Sequence, residues 1–192
     1  DWWNGGKIYL KGKPIRYRVP KQAIDDGIVY ITEDRKKDGI FSTKNIGENI
    51  YLGKQVLKSF NRFFRSKSDW NRTAKKWISL LNIRTLSTKV KGSELSGGNQ
   101  QKMMIAKSLI QKPQIVIFDE PTRGVDVGSI DEIHQYIRSL ANDGIAVLMI
   151  SSYMPEVFKI ADRILVTRLG RIVEEFSIEE ATQEKIMYAA IH

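Results

Sequence analysis

Cysteine is absent from the 192-residue sequence, which excludes disulfides, thiolate metal sites and cysteine nucleophiles. Histidine occurs only at His134 and His192, too thin a set for a histidine-based metal site. No apolar run reaches the length of a membrane span, and no charged, apolar and small-residue signal series opens the chain, so a cytosolic protein is expected. The phosphate-cradling pattern G-x-x-x-x-G-K-[ST] occurs nowhere. Gly5-Gly6-Lys7 lacks its first glycine and its closing hydroxyl, and leads into a strand rather than a helix. There is no internal repeat and no low-complexity segment.

What is present suffices for one domain with a real core. The net charge of +9 raises the question of an anionic partner, and charge by itself leaves nucleotide, nucleic acid and membrane surface open. The run Lys58-Ser59-Phe60-Asn61-Arg62-Phe63-Phe64-Arg65-Ser66-Lys67 interleaves basic residues with aromatics. Such a run can stack on single-stranded nucleic acid, rest on anionic headgroups, or serve as a solvated connector.

In chain order, Asp1 to Gly6 reads as a turn. Lys7 to Leu10 and Ile15 to Tyr17, with Gly12-Lys13-Pro14 between, read as an antiparallel hairpin. The strand Gly27–Thr32 runs into the charged loop Glu33–Gly39. Asn45 to about Leu86 is helical, with Ile46, Ile50 and Leu57 on a first helix and Trp70, Ala74, Trp77 and Leu81 on one face of a second. Ile130, Ile133, Ile137, Leu140 and Ala141 form another helical stripe that ends at Asp143-Gly144. The apolar strand Ala146–Ile150, a helix entered at Met154-Pro155, strands at Ile164–Thr167 and Ile172–Phe176 that close the sheet, and a terminal helix from about Glu179 to Ile191 follow. Strands alternating with helices predict a parallel sheet with helices on both faces.

Two stretches carry chemistry. In Leu95-Ser96-Gly97-Gly98-Asn99-Gln100-Gln101-Lys102, Ser96 stands where a helix N-cap belongs. Gly97 and Gly98, without Cβ, let a phosphate approach backbone N–H groups at the positive end of that helix. In Ile115-Val116-Ile117-Phe118-Asp119-Glu120, two carboxylates end an apolar strand, where ligands bind in open α/β sheets. Pro121-Thr122-Arg123-Gly124-Val125-Asp126 follows directly.

These joined motifs resemble those of ATP-binding cassette (ABC) ATPases: the Ser-Gly-Gly stretch is similar to the signature, Val116–Glu120 to the Walker B strand, and Gly124-Val125-Asp126 to the D-loop. The L-S-G-G-N-Q-Q-K and D-E-P-T-R-G-V-D-V-G variants resemble the second cassette of two-cassette ATPases that drive bacterial import of ribose, galactosides, xylose or arabinose. The resemblance covers essentially the whole chain.

It implies an α/β, P-loop NTPase-like cassette: a mainly parallel sheet flanked by helices, an N-terminal hairpin and a helical subdomain. The expected divisions are 1–44 for the hairpin and Q-loop region, 45–111 for the helical subdomain with its signature helix, and 112–192 for the Walker B core and C-terminal part. The Walker A strand and helix, which in the family precede the hairpin, are missing, so the chain reads as a fragment that binds ATP poorly by itself. The resemblance implies ATP and magnesium as cofactors. Asp119 would hold the metal through water and Glu120 would polarise the attacking water. Ser152 stands at the switch-histidine position, able to hydrogen-bond a phosphate without carrying a cation. Glu33 replaces the Q-loop glutamine and remains a possible metal contact. Ser96, Gly97, Gly98, Asn99, Gln100 and Asp126 would contact nucleotide, the signature acting in trans on ATP held by the opposing cassette. The implied partners are the N-terminal cassette of the same polypeptide, membrane permease subunits and, indirectly, a periplasmic or extracellular sugar-binding protein, with the chain peripheral at the cytoplasmic face. The C-terminal Ala181 to Ile191 most resembles ribose-type members. A nucleic-acid-associated ABC ATPase is the competing reading, supported by the positive charge. The short helical subdomain leaves no room for a coiled-coil arm, and no nucleic-acid partner is expected. A third reading is a truncated cassette acting only as an interaction module.

Overall fold

A computed structural model describes residues 7–57 and 67–192. The opening Asp1–Gly6 and most of the basic-aromatic run lie outside the described residues.

The centre is a three-stranded parallel sheet of order β3-β4-β5, made of Ile28–Ile31 (β3), Ile115–Asp119 (β4) and Ala146–Ile150 (β5). β4 alternates fully buried Val116 and Phe118 with half-buried neighbours, the period-two pattern of a strand covered more deeply on one face. Parallel neighbours need long crossovers. The first carries Ile46–Gln55 (α2), Lys67–Leu80 (α3) and Gly97–Leu109 (α4), and the second carries Val127–Asn142 (α5). The registers Ile31↔Phe118 and Asp119↔Ile150 bring the carboxyl ends of all three strands to one side.

Helix α4 is the heart of the packing. It buries every residue from Gly98 to Ala106, and it packs against α2, α3, α5 and β3. Asn99, Gln100 and Lys102 are buried with partners, whereas the Gln101 Nε2 is buried without one among the described residues. The Arg84 N–H donates to Asn99 Oδ1 at 2.8 Å, the Gln100 amide donates to the Leu95 carbonyl at 3.0 Å, and Lys102 Nζ donates to the Asn82 carbonyl at 3.1 Å and pairs with Glu132. A helix buried all round must satisfy its polar groups internally. Helix α2 starts on a reciprocal cap: Glu48 N–H donates to Asn45 Oδ1 at 2.9 Å and Asn45 N–H to Glu48 Oε2 at 3.0 Å.

The hairpin is Ile8–Leu10 (β1) against Lys13–Ile15 (β2), so its turn is Lys11-Gly12 rather than Gly12-Lys13-Pro14, and Pro14 lies in the strand opposite Tyr9. The reason is backbone chemistry: both Lys11 and Gly12 take positive φ, the pairing a two-residue turn needs to match strand twist. The short helix Pro20–Asp25 (α1) leads into β3. Met154–Ile160 (α6), Arg163–Arg168 (β6), Arg171–Ser177 (β7) and Gln183–Ile191 (α7) end the chain.

The expectation that the last two strands close the sheet is corrected. β6 and β7 form an antiparallel ladder of their own, with no hydrogen-bonded neighbour in the parallel sheet among the described residues. Ile164, Val166 and Ile186 make a second small core there, packed by Val157, Phe158, Phe176 and Ile178. The turn Leu169-Gly170, both at positive φ, pairs the two strands locally, which their hydrophobic pattern by itself does not require.

Gly53 marks the closest approach of α2 to α4, where an added Cβ would stand 1.7 Å from the Lys107 carbonyl oxygen. Helical backbone cannot yield as a side chain does. Gly53→Ala is therefore expected to cost about 3 kcal/mol, the upper end of ordinary overpacking, read as a lowered midpoint in urea unfolding.

Candidate functional site

Asp119 is the last residue of β4, and Glu120 turns the chain away from the sheet with φ of 46°. A non-glycine residue in that region costs about 1 kcal/mol. Two hydrogen bonds hold it there: Glu120 N–H donates to the Ile150 carbonyl at 2.8 Å, and the Ser152 N–H donates to Glu120 Oε1 at 2.7 Å. Ser152 thus meets the carboxylate through its backbone. Tyr30, on neighbouring β3, donates its hydroxyl to Asp119 Oδ2, and this bond to an anion raises the Tyr30 phenol pKa. Tyr30 escaped sequence reading because only the strand register brings it beside Asp119.

Behind this pair lies a buried polar cluster that sequence reading also missed. Glu156, on α6, is 1% exposed. Thr122 Oγ1 donates to its Oε2 at 2.9 Å, Ser151 Oγ donates to the same oxygen at 3.1 Å, and His134 Nε2 lies 3.0 Å from its Oε1. One carboxylate thereby ties the turn after Glu120 to the segment before Ser152. His134 shares the apolar face of α5 with Ile130 and Ile137, and a histidine on such a face needs a buried partner. The spacing signals that need without identifying Glu156.

The signature stretch begins α4. Ser96 has N-cap backbone angles, but the expected side-chain cap is replaced: Ser96 Oγ accepts from Asn99 Nδ2 at 2.9 Å. Asn99, held also by Arg84, competes for the hydroxyl. The D-loop lies directly against this first turn. A Cβ on Gly97 would come 2.4 Å from the Gly124 carbonyl oxygen, and one on Gly98 would come 2.4 Å from Ser129 Oγ and 2.9 Å from Asp126 Oδ1. Asp126 accepts from Ser129 Oγ at 2.8 Å, and this bond, assisted by nearby backbone N–H groups including that of Gly98, holds its carboxyl below the usual range. The glycines are thus dictated by close contact within the chain.

Glu33 is ion-paired with Arg123, the residue that precedes the D-loop. The resemblance implies Glu33 as a metal contact; its partner here lies 90 positions along the chain, beyond the reach of any local sequence signal. Among the described residues no group of three or more His, Cys, Asp or Glu could hold a metal ion. A single carboxylate such as Asp119 suits magnesium only when phosphate oxygens and water complete the shell. Among the described residues no helix is long and apolar enough to cross a membrane.

The sequence model of the ABC transporter family matches residues 2–123. At 44% identity over 189 residues the chain is similar to the xylose import ATP-binding protein XylG of Thermoanaerobacter pseudethanolicus, the match covering 96% of this chain and 36% of that protein. At 43% over 192 residues it is similar to the ribose import ATP-binding protein RbsA of Caldanaerobacter subterraneus subsp. tengcongensis, covering 97% and 38%. The chain thus spans little more than a third of the length of these relatives. Among solved structures, the ADP conformation of an ATP-binding cassette of an ABC transporter aligns with a TM-score of 0.78 at 22% identity, over 98% of this chain and 77% of that one. A nucleotide-free cassette aligns with a TM-score of 0.76 at 22% identity, over 97% and 73%. At such identities the likeness speaks for the fold.

Removing the Glu156 carboxylate would strand Thr122, Ser151 and His134 around an empty space. Glu156→Ala is expected to lower the unfolding free energy by about 3–5 kcal/mol, as for a buried pair deprived of one member, with Glu156→Gln intermediate. Chemical denaturation measures both.

Proposed function

As the chain belongs to the ABC transporter family, we propose that it is part of the ATP-hydrolysing subunit of a sugar importer and presents its signature helix in trans to ATP held by an opposing cassette. The single observation that carries this reading is the start of α4. Gly97 and Gly98 lie against Gly124 and Ser129, so signature and D-loop share one face. The relatives named for xylose and ribose import supply the substrate class, a monosaccharide, with ribose preferred on the C-terminal residues.

In this reading the N–H groups at the start of α4 receive the γ-phosphate of the partner's ATP, aided by the helix dipole. Asn99 orients Ser96 through the hydrogen bond between their side chains, and Gln100 braces the turn before the helix through the Leu95 carbonyl. On this chain's own side, Asp119 would hold magnesium through water, and the metal would supply charge stabilisation to the phosphoryl group. Glu120 would polarise a water, with the Ser152 N–H fixing one of its oxygens. The signature would act on ATP held by the partner cassette, and this half would complete the partner's site. The implied assembly is an N-terminal cassette of the same polypeptide, two membrane permease subunits and, indirectly, an external sugar-binding protein, with the ATPase peripheral at the cytoplasmic face. The divisions 1–44, 45–111 and 112–192 would then be the Q-loop region, the helical subdomain and the Walker B core.

Titration calorimetry with ATP and magnesium tests the reading. The isolated chain is expected to show no binding, while its mixture with a P-loop-bearing cassette binds about tenfold more tightly than that cassette by itself, a gain of about 1.4 kcal/mol. Ser96→Arg should abolish the gain. Stoichiometric binding by the isolated chain, or a gain indifferent to Ser96→Arg, overturns the proposal.

A further inference from the structure

The loop after β3 forms a wide helical turn over Arg35–Gly39, fixed by Asp34 Oδ1, which accepts from the backbone N–H groups of Lys36 at 3.1 Å and Lys37 at 3.0 Å. The turn closes where Ile40 N–H donates to the Arg35 carbonyl at 2.8 Å, and it is moored to α4 by Lys107 Nζ on the Gly39 carbonyl. From this moored base the Arg35 guanidinium reaches two other segments. Nη1 donates to the Arg123 carbonyl and contacts Gln101 Oε1 of α4 at 3.4 Å, while Nη2 donates to the Gly124 carbonyl at 3.0 Å. A Cβ on Gly124 would stand 3.1 Å from Nη2, and one on Gly97 3.6 Å from it. Burial lowers the Arg35 pKa, which marks the guanidinium as partly withdrawn from water.

The chemistry at this junction needs a cation of that shape. The carbonyls of Arg123 and Gly124 are successive dipoles, and the oxygen of Gly124 stands against the Cα of Gly97 at the start of α4. Left bare, those oxygens would oppose an anion arriving at the same helix end. A planar fork can bond two neighbouring carbonyls at once, which a lysine ammonium cannot reproduce. Glu33 secures the same place from the other side by pairing with the Arg123 side chain. Arg123 is therefore gripped twice from one loop, at its side chain and at its carbonyl.

We propose that Arg35 is a positioning residue that locks the D-loop to the first turn of α4, so that the charged loop after β3, the D-loop and the signature move as one unit. The catalytic consequence rests on the trans-acting reading above; the mechanical one does not. Any displacement of the loop after β3 would be carried by Arg35 to the Gly124 carbonyl and the N–H groups at Gly97 and Gly98.

Two readouts on the whole chain separate these levels. The first is hydrogen exchange of Arg35→Lys and Arg35→Gln. The bonded amides of Arg123 and Val125 are expected to exchange about tenfold faster than in the unaltered chain, as for a locally opened segment, with α7 unchanged. The second is stimulation of ATP turnover by a P-loop-bearing cassette. Both variants should lower the stimulated kcat by about 10²-fold, the cost of a small misplacement of catalytic groups, with KM for ATP within about twofold. Arg35→Ala should regain part of this loss with added methylguanidinium. Arg35→Lys keeps the charge and provides the folded comparison if Arg35→Gln unfolds. Unchanged exchange at Arg123 and Val125, or an Arg35→Lys variant equal to the original in both readouts, overturns the proposal. If the unaltered chain gives no stimulation, the trans-acting reading fails, while the exchange result still decides the role of Arg35.

Discussion

Because α4 is buried along most of its length, the polar groups it carries depend on partners inside the protein. Asn99, Gln100 and Lys102 find them in the backbone of Arg84, Leu95 and Asn82 respectively. Each bond contributes about 1 kcal/mol net, but leaving the group unpaired would cost more than that. The helix therefore cannot shift without dragging its neighbours, and its first turn is held in one place relative to the sheet. If the start of α4 receives a phosphate, as proposed, it gains from such rigidity, since donors fixed in advance need no reorganisation.

The carboxyl end of the sheet is organised by a second constraint. Glu120 sits in a backbone region that side chains disfavour, and the cost is offset by bonds from its own N–H to β5 and from the Ser152 N–H to its carboxylate. Glu156 then joins Thr122 to Ser151 beneath them. Strain at Glu120, the anchored Ser152 and the buried carboxylate form one device, and the carboxylate is aimed by backbone, not by a flexible loop. Loops that carry function on a rigid scaffold behave in this way.

Much of this was legible in the residues. The strands β3, β4 and β5, the stripe of α5 and the two helices after Asn45 follow from hydrophobic period, and the motif stretches lie at a helix start and a strand end. The hairpin turn was displaced because Lys11 takes a positive φ that lysine does not advertise. The last two strands look like members of the main sheet because alternation tells which face is buried and says nothing of which strand is the neighbour. In sequence Glu33 offers a carboxylate, and Arg35 two residues later is one charge among several in a charged loop. A solvated charge run and a strut look alike in sequence, since the difference is made by carbonyls 88 and 89 positions away.

The sequence by itself determined the class of the protein. Its motifs, their order and their spacing specify an ABC cassette, and their local chemistry requires a helix starting at Ser96 and carboxylates ending a strand at Asp119. Tertiary structure decided the partners: Tyr30 for Asp119, the Ser152 N–H for Glu120, Asp126 and Ser129 against Gly98, and Arg35 across two loops. The physical reason is range. Helix caps and hydrophobic periods act over a few residues, so they can be read along the chain. Hydrogen bonds and ion pairs between distant segments exist only after the core has packed and set their separation.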